Sequence, residues 1–289
     1  MVMHHRAGRG WPSFAWSVRG RVLGADGRPL IMGVLNITPD SFSDGGEHLD
    51  HGRAIEAGLR MVAQGADILD IGGESTRPGA AAVPDAEEAR RVTPVIAGLA
   101  RQTSAVLSVD TSKHGVARLA LDAGAHVVND VTGLGDAAMA GVVRQAGAGL
   151  VVMHMRGTPR TMQNNPVYTD VAREVAEELQ AVLLLALAAG IPKEAVAVDP
   201  GIGFAKLYEH NVELLRGLDA LVGLGCPVLL GVSRKSFLGT MLGRKVDERG
   251  PGTLAALGVA LSRREAQILR VHDVAAARDL VAVWRELDR

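Results

Sequence analysis

The sequence predicts a single (β/α)8 barrel of the TIM-barrel type, and three observations carry that prediction. Eight short β-prone runs alternate with eight longer runs of helical periodicity. Parallel neighbouring strands need crossover helices, so the alternation points to a parallel sheet wrapped by helices. Nearly every strand-like run also meets a polar or charged residue at its C-terminal side, where barrels of this kind place their chemistry. An open doubly wound sheet is the alternative. It is disfavoured because no strand leads into a G-x-G-x-x-G turn with a downstream acid, and Gly201-Ile202-Gly203 lacks the third glycine.

Taken in order, residues 1–14 carry His4, His5, Arg6 and Arg9 without the apolar core of a signal peptide, and read as a disordered tail. Residues 15–289 then form one domain, because no Ser/Pro-rich linker or charge block divides them. The runs 14–21 and 28–31 flank Gly24-Ala25-Asp26-Gly27, a hairpin signal, and a short hairpin ahead of the first strand would plug the barrel's closed end. Strands are expected at 31–36, 68–72, 105–110, 127–129, 150–154, 195–199, 228–232 and 268–272. Helices are expected at 52–64, 85–100, 113–123, 136–146, 169–189, 209–218, 251–264 and 274–287.

Composition removes several function classes. The net charge of −1 supplies no basic field for nucleic acid. The longest apolar run, 181–189, is too short to span a bilayer. The single cysteine, Cys226, suits a reducing cytoplasm and reads as an apolar filler beside a strand. Any anionic substrate must therefore be held by local Arg, Lys or loop N–H groups.

The polar strand ends are Asn36, Asp70, Asp110, Asn129, His154, Asp199, Arg234-Lys235, and Arg270 with His272. Any one of them alone would pass as a helix cap or a buried structural group. Together they describe a pocket. Three carboxylates and an amide suit the amino and amide edges of a flat heterocycle, whereas Lys235, Arg270 and His272 suit an anionic group. The Gly/Pro/Ser loops at 38–46 and 72–79 have the composition of segments that close over a substrate, with Arg77 as the mobile cation. No Cys/His cluster has zinc spacing. Asn36, with oxygens from Asp40 or Asp44, would suit Mg²⁺ on a diphosphate, since Mg²⁺ takes few protein ligands and completes its shell with phosphate and water.

Eight segments then identify a resemblance: MGVLNITPDSFSDGG at 32–46, DIGGESTRPGA at 70–80, SVDTSK at 108–113, VNDVTG at 128–133, VVMHMRGTPRTMQ at 151–163, DPGIGFAK at 199–206, GVSRKSFLG at 231–239 and RVHDV at 270–274. From about Phe14 onward the chain resembles the dihydropteroate synthases, the folate-pathway enzymes inhibited by sulfonamides. The resemblance implies a (β/α)8 barrel, usually a homodimer, and a transferase that joins (7,8-dihydropterin-6-yl)methyl diphosphate to 4-aminobenzoate.

It also implies site residues. Asp110, Asn129, Asp199 and Lys235 would hold the pterin, with Met153 and Phe204 lining its slot. Asn36, Arg77, Arg270 and His272 would bind diphosphate, with Mg²⁺ beside Asn36. Phe42, Thr76, Arg77, Pro78, Lys235 and Ser236 would form the 4-aminobenzoate site, Ser236 opening a helix whose free N–H groups favour a carboxylate. Asp110, Lys235, Arg270 and His272 would carry catalysis. His154 reads as structural, and Asp70 as a residue that fixes the second loop or a neighbouring cation. Glu265 stands where a small glycine is expected ahead of the last strand. That position is at the closed end, so only a packing difference is expected.

Two rival functions stand beside this one. A pterin-binding methyltransferase acting on a corrinoid protein would share the barrel but would not need the segments 75–78 and 233–236. A non-catalytic copy that binds pterin or a partner would be signalled by loss of Asp110, Arg77 or Lys235, and all three are present. For oligomerisation, Leu254, Leu257 and Leu261 offer an apolar helical face that would suit a dimer.

Overall fold

The computed structural model describes residues 14–37, 51–75, 80, 82–158 and 160–288. The tail through residue 13 and the expectations for Asp40, Phe42, Asp44, Thr76, Arg77 and Pro78 lie outside the described residues.

A two-stranded antiparallel hairpin, β1 (Trp16–Val18) and β2 (Arg21–Leu23), precedes an eight-stranded sheet of entirely parallel pairings. The sheet strands are β3 (Leu30–Asn36), β4 (Ile68–Gly72), β5 (Val106–Asp110), β6 (Val127–Asp130), β7 (Gly149–Met153), β8 (Val196–Asp199), β9 (Leu229–Leu230) and β10 (Ile268–Val271). They pair in sequence order from β3 to β8, and β10 pairs with both β3 and β9. A parallel bridge between Val198 and Val228, with Val198 N donating to Pro227 O at 2.9 Å, closes the ring. The predicted barrel is present, strand for strand.

Helices cover the outside: α1 (His51–Gln64), α2 (Asp85–Ala100), α3 (His114–Asp122), α4 (Met139–Ala146), α5 (Val171–Ala188), α6 (Tyr208–Arg216), α7 (Asp219–Val222), α8 (Ser236–Leu242), α9 (Gly250–Arg263) and α10 (Val274–Leu287). Two begin under side-chain caps, Asp170 accepting from Arg173 N and Asp273 accepting from Ala276 N, which satisfies N–H groups that a helix start otherwise leaves unpaired. The short α7 was not anticipated, since four residues carry too little periodicity to register. The helix at Ser236 was expected only as a start, and it gives β9 two following helices, α8 and α9.

The hairpin turn is a correction. It lies at Arg19-Gly20, both with positive φ (46° and 77°), and not at Gly24–Gly27, which forms a separate turn closed by Gly27 N to Gly24 O at 3.0 Å. A two-residue turn with both residues left-handed matches strand twist. Arginine tolerates that backbone here because it is pinned: its N donates to Gly147 O, and its guanidinium donates to Leu121 O and Ala125 O. The plug itself is as expected. Trp16 and Val18 are fully buried against Leu30, Met32, Ile68, Val106 and other strand residues of the closed end. The Trp16 indole donates to Ala195 O at 3.0 Å. Gly149 lets the plug in, because a Cβ there would lie 2.4 Å from Val18.

The apolar face assigned to a dimer is a second correction. Leu257 and Leu261 are fully buried in the main core between helices and sheet. What α8 and α9 expose instead is Met241, Leu242 and Val259, beside Val212, Leu215 and Leu238. Cys226 is buried and free, as an apolar filler should be.

Candidate active site

Strand register assembles the site. Asn36 pairs with Gly72, Gly72 with Asp110, and Asp110 with Asn129, so four adjacent strands present one row at the barrel's C-terminal mouth. One layer deeper, Asp70 pairs with Ser108. Side chains alternate along a strand, so residues two apart face the same way and these layers share the interior.

Asp70 is fully buried and spent on scaffolding. Its carboxylate accepts from Ser108 Oγ at 2.7 Å, Asn129 Nδ2 at 2.9 Å and Arg270 Nε at 2.7 Å. It therefore fixes a neighbouring cation, one of the two roles anticipated for it. Arg270 reaches across from β10, and its Nη2 donates to Asp110 Oδ2 at 2.6 Å. One guanidinium is thus shared by two carboxylates. They hold it charged, raising its pKa against the cost of burial.

Asp110 has one oxygen on Arg270, whereas its other oxygen, Oδ1, is buried without a hydrogen-bond partner among the described residues. Burial pushes the carboxyl up to about 7, with the Arg270 charge opposing. An unpaired buried carboxylate oxygen at a barrel mouth is costly and marks an acceptor held ready for a ligand.

The opposite wall comes from β8 and the segment after β9. Asp199 is buried, accepts from Gly201 N at 2.7 Å, and has its pKa raised by desolvation. Lys235 donates to Ile202 O, and its Nζ stands 4.7 Å from the centre of the Phe204 ring. Burial lowers it to about 8, with the Asp199 charge opposing. Met153 is buried at the end of β7, next to Asp199 in register. His272 is exposed, its Nδ1 2.9 Å from Ser233 Oγ, which also accepts from the His272 backbone N–H at 3.2 Å and so orients the ring. Ser236 is exposed at the first turn of α8.

Two of the expected strand-end residues behave differently. His154 turns to Glu178 and Lys206, in keeping with a structural role. Arg234 has a left-handed backbone (φ 58°) and gives its N–H to Thr253 Oγ1 at 3.1 Å. Sequence reasoning missed Ser108, Ser233 and Lys206 as supports. Ser108 was findable, because it sits two residues before Asp110 on the same inward face. Lys206 lies inside a recognised segment but carries no sign that it is buried.

For a metal, the donor set is sparse. Among the described residues no three His, Cys, Asp or Glu side chains group as a metal site. A Cβ on Gly72 would make ordinary contacts, 3.6 Å from Asn36 Oδ1 and 3.5 Å from Asp110 Cβ, so Asn36 and Asp110 both border the Gly72 position. An amide oxygen beside a carboxylate fits a hard divalent cation whose remaining ligands are phosphate and water.

The comparisons with known proteins agree with this geometry. The model of the family described as pterin binding enzyme matches residues 32–272. The dihydropteroate synthase of Haemophilus influenzae is 43% identical over 257 residues, 89% of this chain and 93% of that protein. That of Streptococcus pyogenes serotype M1 is 44% identical over 265 residues, 91% and 97% of the two chains. Among solved structures, the Xanthomonas albilineans dihydropteroate synthase with 4-aminobenzoic acid superposes with a TM-score of 0.88 at 46% identity, covering 95% of this chain and 98% of that one. The same enzyme with 7,8-dihydropteroate gives 0.85 at 44%, covering 94% and 98%. A Yersinia pestis dihydropteroate synthase with a sulfonamide drug complex gives 0.88 at 40%, covering 95% and 99%. The chain belongs to the dihydropteroate synthase family of pterin-binding enzymes, transferases of folate synthesis.

Proposed function

We propose that this chain joins (7,8-dihydropterin-6-yl)methyl diphosphate to 4-aminobenzoate, giving 7,8-dihydropteroate and diphosphate. The observation that carries the chemistry is the buried Asp110 carboxylate, with one oxygen on Arg270 and the other without a partner among the described residues, at the mouth of a barrel whose neighbouring strand ends offer Asn129 and Asp199. Those three groups suit the amino and amide edge of a pterin, with Lys235 over the Phe204 ring bounding the slot and Met153 behind it.

An aniline is a weak nucleophile, so a dissociative displacement is favoured. The bond between the pterin methylene and the diphosphate oxygen breaks first, and the electron pair leaves with diphosphate. Arg270, beyond its bonds to Asp70 and Asp110, and His272 would supply positive charge and N–H donors to that anion. The methylene cation left behind is delocalised over the pterin. Asp110 stabilises it electrostatically in a site poor in water, where a fixed charge acts strongly. The amine of 4-aminobenzoate then forms the carbon–nitrogen bond, and its proton passes to the released diphosphate or to water. Asn36 would hold Mg²⁺, which when bound supplies charge neutralisation to the diphosphate. Arg77, with Phe42, Thr76 and Pro78, would join Lys235 and Ser236 around 4-aminobenzoate.

Two further readings accompany this one. Sulfonamides, bound by the Yersinia pestis relative, would compete for the 4-aminobenzoate position. The chain would form a homodimer through the exposed apolar surface of α8 and α9 around Met241, Leu242 and Val259.

The test is an assay with the pterin diphosphate, 4-aminobenzoate and Mg²⁺, following diphosphate and dihydropteroate together. Equal amounts of both products support the reading. Pterin binding without either product points to a non-catalytic copy, and absence of pterin binding means the pocket is misassigned. Omitting Mg²⁺ tests the metal, and light scattering tests the dimer.

A further inference from the structure

A second ionic cluster lies beneath the pterin wall and is not used by the reaction as written. Its centre is Lys206, only 3% exposed, with Nζ 2.9 Å from His154 Nδ1, 3.1 Å from Gly201 O and 3.0 Å from Phe204 O. Three acceptors match the three protons of an ammonium, whereas a neutral amine has two. Burial lowers its pKa to about 7, with the Asp199 charge opposing most and Glu178 less. A second carboxylate, Glu178, which also accepts from Arg156, is reached through His154. His154 Nε2 lies 3.0 Å from Glu178 Oε2, and a ring that accepts at Nδ1 carries its proton on Nε2 and donates it there. Burial and the Lys206 charge hold His154 near 4, so the ring is neutral and links the ammonium to the carboxylate.

The carbonyls that Lys206 gathers belong to the turn bearing Ile202 O, which accepts from Lys235, and Phe204, whose ring lies beside the same ammonium. That turn is tightly wound. Gly201 has φ 66°, and a Cβ on it would stand 1.9 Å from the His154 carbonyl, so no other residue fits.

We propose that Lys206 is a positioning residue for the pterin half of the site: anchored to Glu178 through His154, it gathers the Gly201 and Phe204 carbonyls and thereby sets where Lys235 and the Phe204 ring stand. This rests on the pterin reading above.

The test compares wild type with Lys206→Met, which keeps the stem and removes the donors. Two readouts are taken on the full chain: hydrogen exchange across residues 200–206 without ligand, and calorimetric binding of the pterin diphosphate. Exchange in that segment rises. Pterin affinity falls on the order of tenfold or more, and KM for 4-aminobenzoate rises several-fold less, because Lys235 borders both ligands whereas the Phe204 ring borders the pterin alone and a displaced wall is costly to the ligand it contacts. Equal losses for both substrates would mean general damage and would overturn the proposal, as would wild-type exchange and pterin affinity. Should Lys206→Met not fold, Glu178→Gln at a half-exposed position is expected to move both readouts the same way, less far, and unchanged values there would also overturn it. Wild type failing to bind pterin would sink the functional reading alone, since the exchange readout needs no ligand.

Discussion

The two ends of the barrel are built from the same strands, one pleat repeat apart. Ile68, Val106, Val127, Ala197 and Ile268 face the plug, and two residues later Asp70, Ser108, Asn129, Asp199 and Arg270 face the mouth. The closed end is apolar and sealed by Trp16, so its contribution is burial and close packing. The open end brings Asp70, Asp110, Asp199, Arg270 and Lys235 into mutual electrostatic contact, an arrangement that burial alone would never favour. The difference teaches that stability and chemistry are separated along the strand axis, so substitutions at the two ends should fail in different measurements.

The strongest way to break the closed end is Trp16→Ala. It should cost about 3–5 kcal/mol of unfolding free energy, as for other buried aromatics truncated to alanine. Denaturant unfolding measures this, and turnover per folded molecule should stay near wild type. Loss of turnover in the folded fraction would show that the plug also shapes the mouth.

At the open end, Asp110→Asn should lower kcat by ~10²–10³, the range for removing one electrostatic partner of a transition state. The melting temperature should change little. If turnover survives, the cation is stabilised elsewhere.

The same residue sharpens the contrast through pH. Its folded pKa is raised from 3.8 to about 7, so its contribution to stability is present in full below 3.8 and is lost as pH rises through about 7. Activity needs the anion and runs the other way, falling as pH drops through about 7. Asp199, raised in the same direction, adds to the stability trend. Stability and kcat measured between about pH 5 and 8 should therefore slope oppositely in wild type, and both slopes should flatten in Asp110→Asn.

The smallest effect is expected at Glu265, beside the closed end. Its Oε2 is buried without a hydrogen-bond partner among the described residues, and burial raises its pKa. Glu265→Gln should stabilise the protein at neutral pH by on the order of 1 kcal/mol, with no change in turnover. The gain should shrink as pH falls toward 4.5, because burial lets the folded carboxyl take up its proton above that ordinary value. A destabilised variant would mean that the charge has a partner in solution.

The fold was legible because apolar periodicity repeats through the whole chain. The strand at 68–72 was read to the residue, and the one at 31–36 to within one residue of Leu30–Asn36. The hairpin turn was misplaced because Gly24–Gly27 has the stronger local signature. Arg19-Gly20 works as the turn only through hydrogen bonds to residues 121, 125 and 147, which are remote in sequence. Leu257 and Leu261 were assigned to an outer face because helical spacing identifies an apolar stripe without saying what covers it. At the site, the reactive residues announced themselves as polar strand ends, whereas their supports did not.

The sequence by itself determined the alternation of strands and helices, the barrel it implies, the family, and the set of polar groups at the strand ends. Those are properties of local pattern and residue type. Only the tertiary structure decided which groups spend their charge on one another. Asp70 and Asp110 have the same side chain, yet Asp70 is saturated by Ser108, Asn129 and Arg270, whereas one oxygen of Asp110 has no partner among the described residues. Lys206 and Lys235 are likewise alike in sequence, but one is caged by its own loop and the other lies against an aromatic ring. Burial and pairing depend on residues up to 200 positions away, as between Asp70 and Arg270, and no local pattern encodes them.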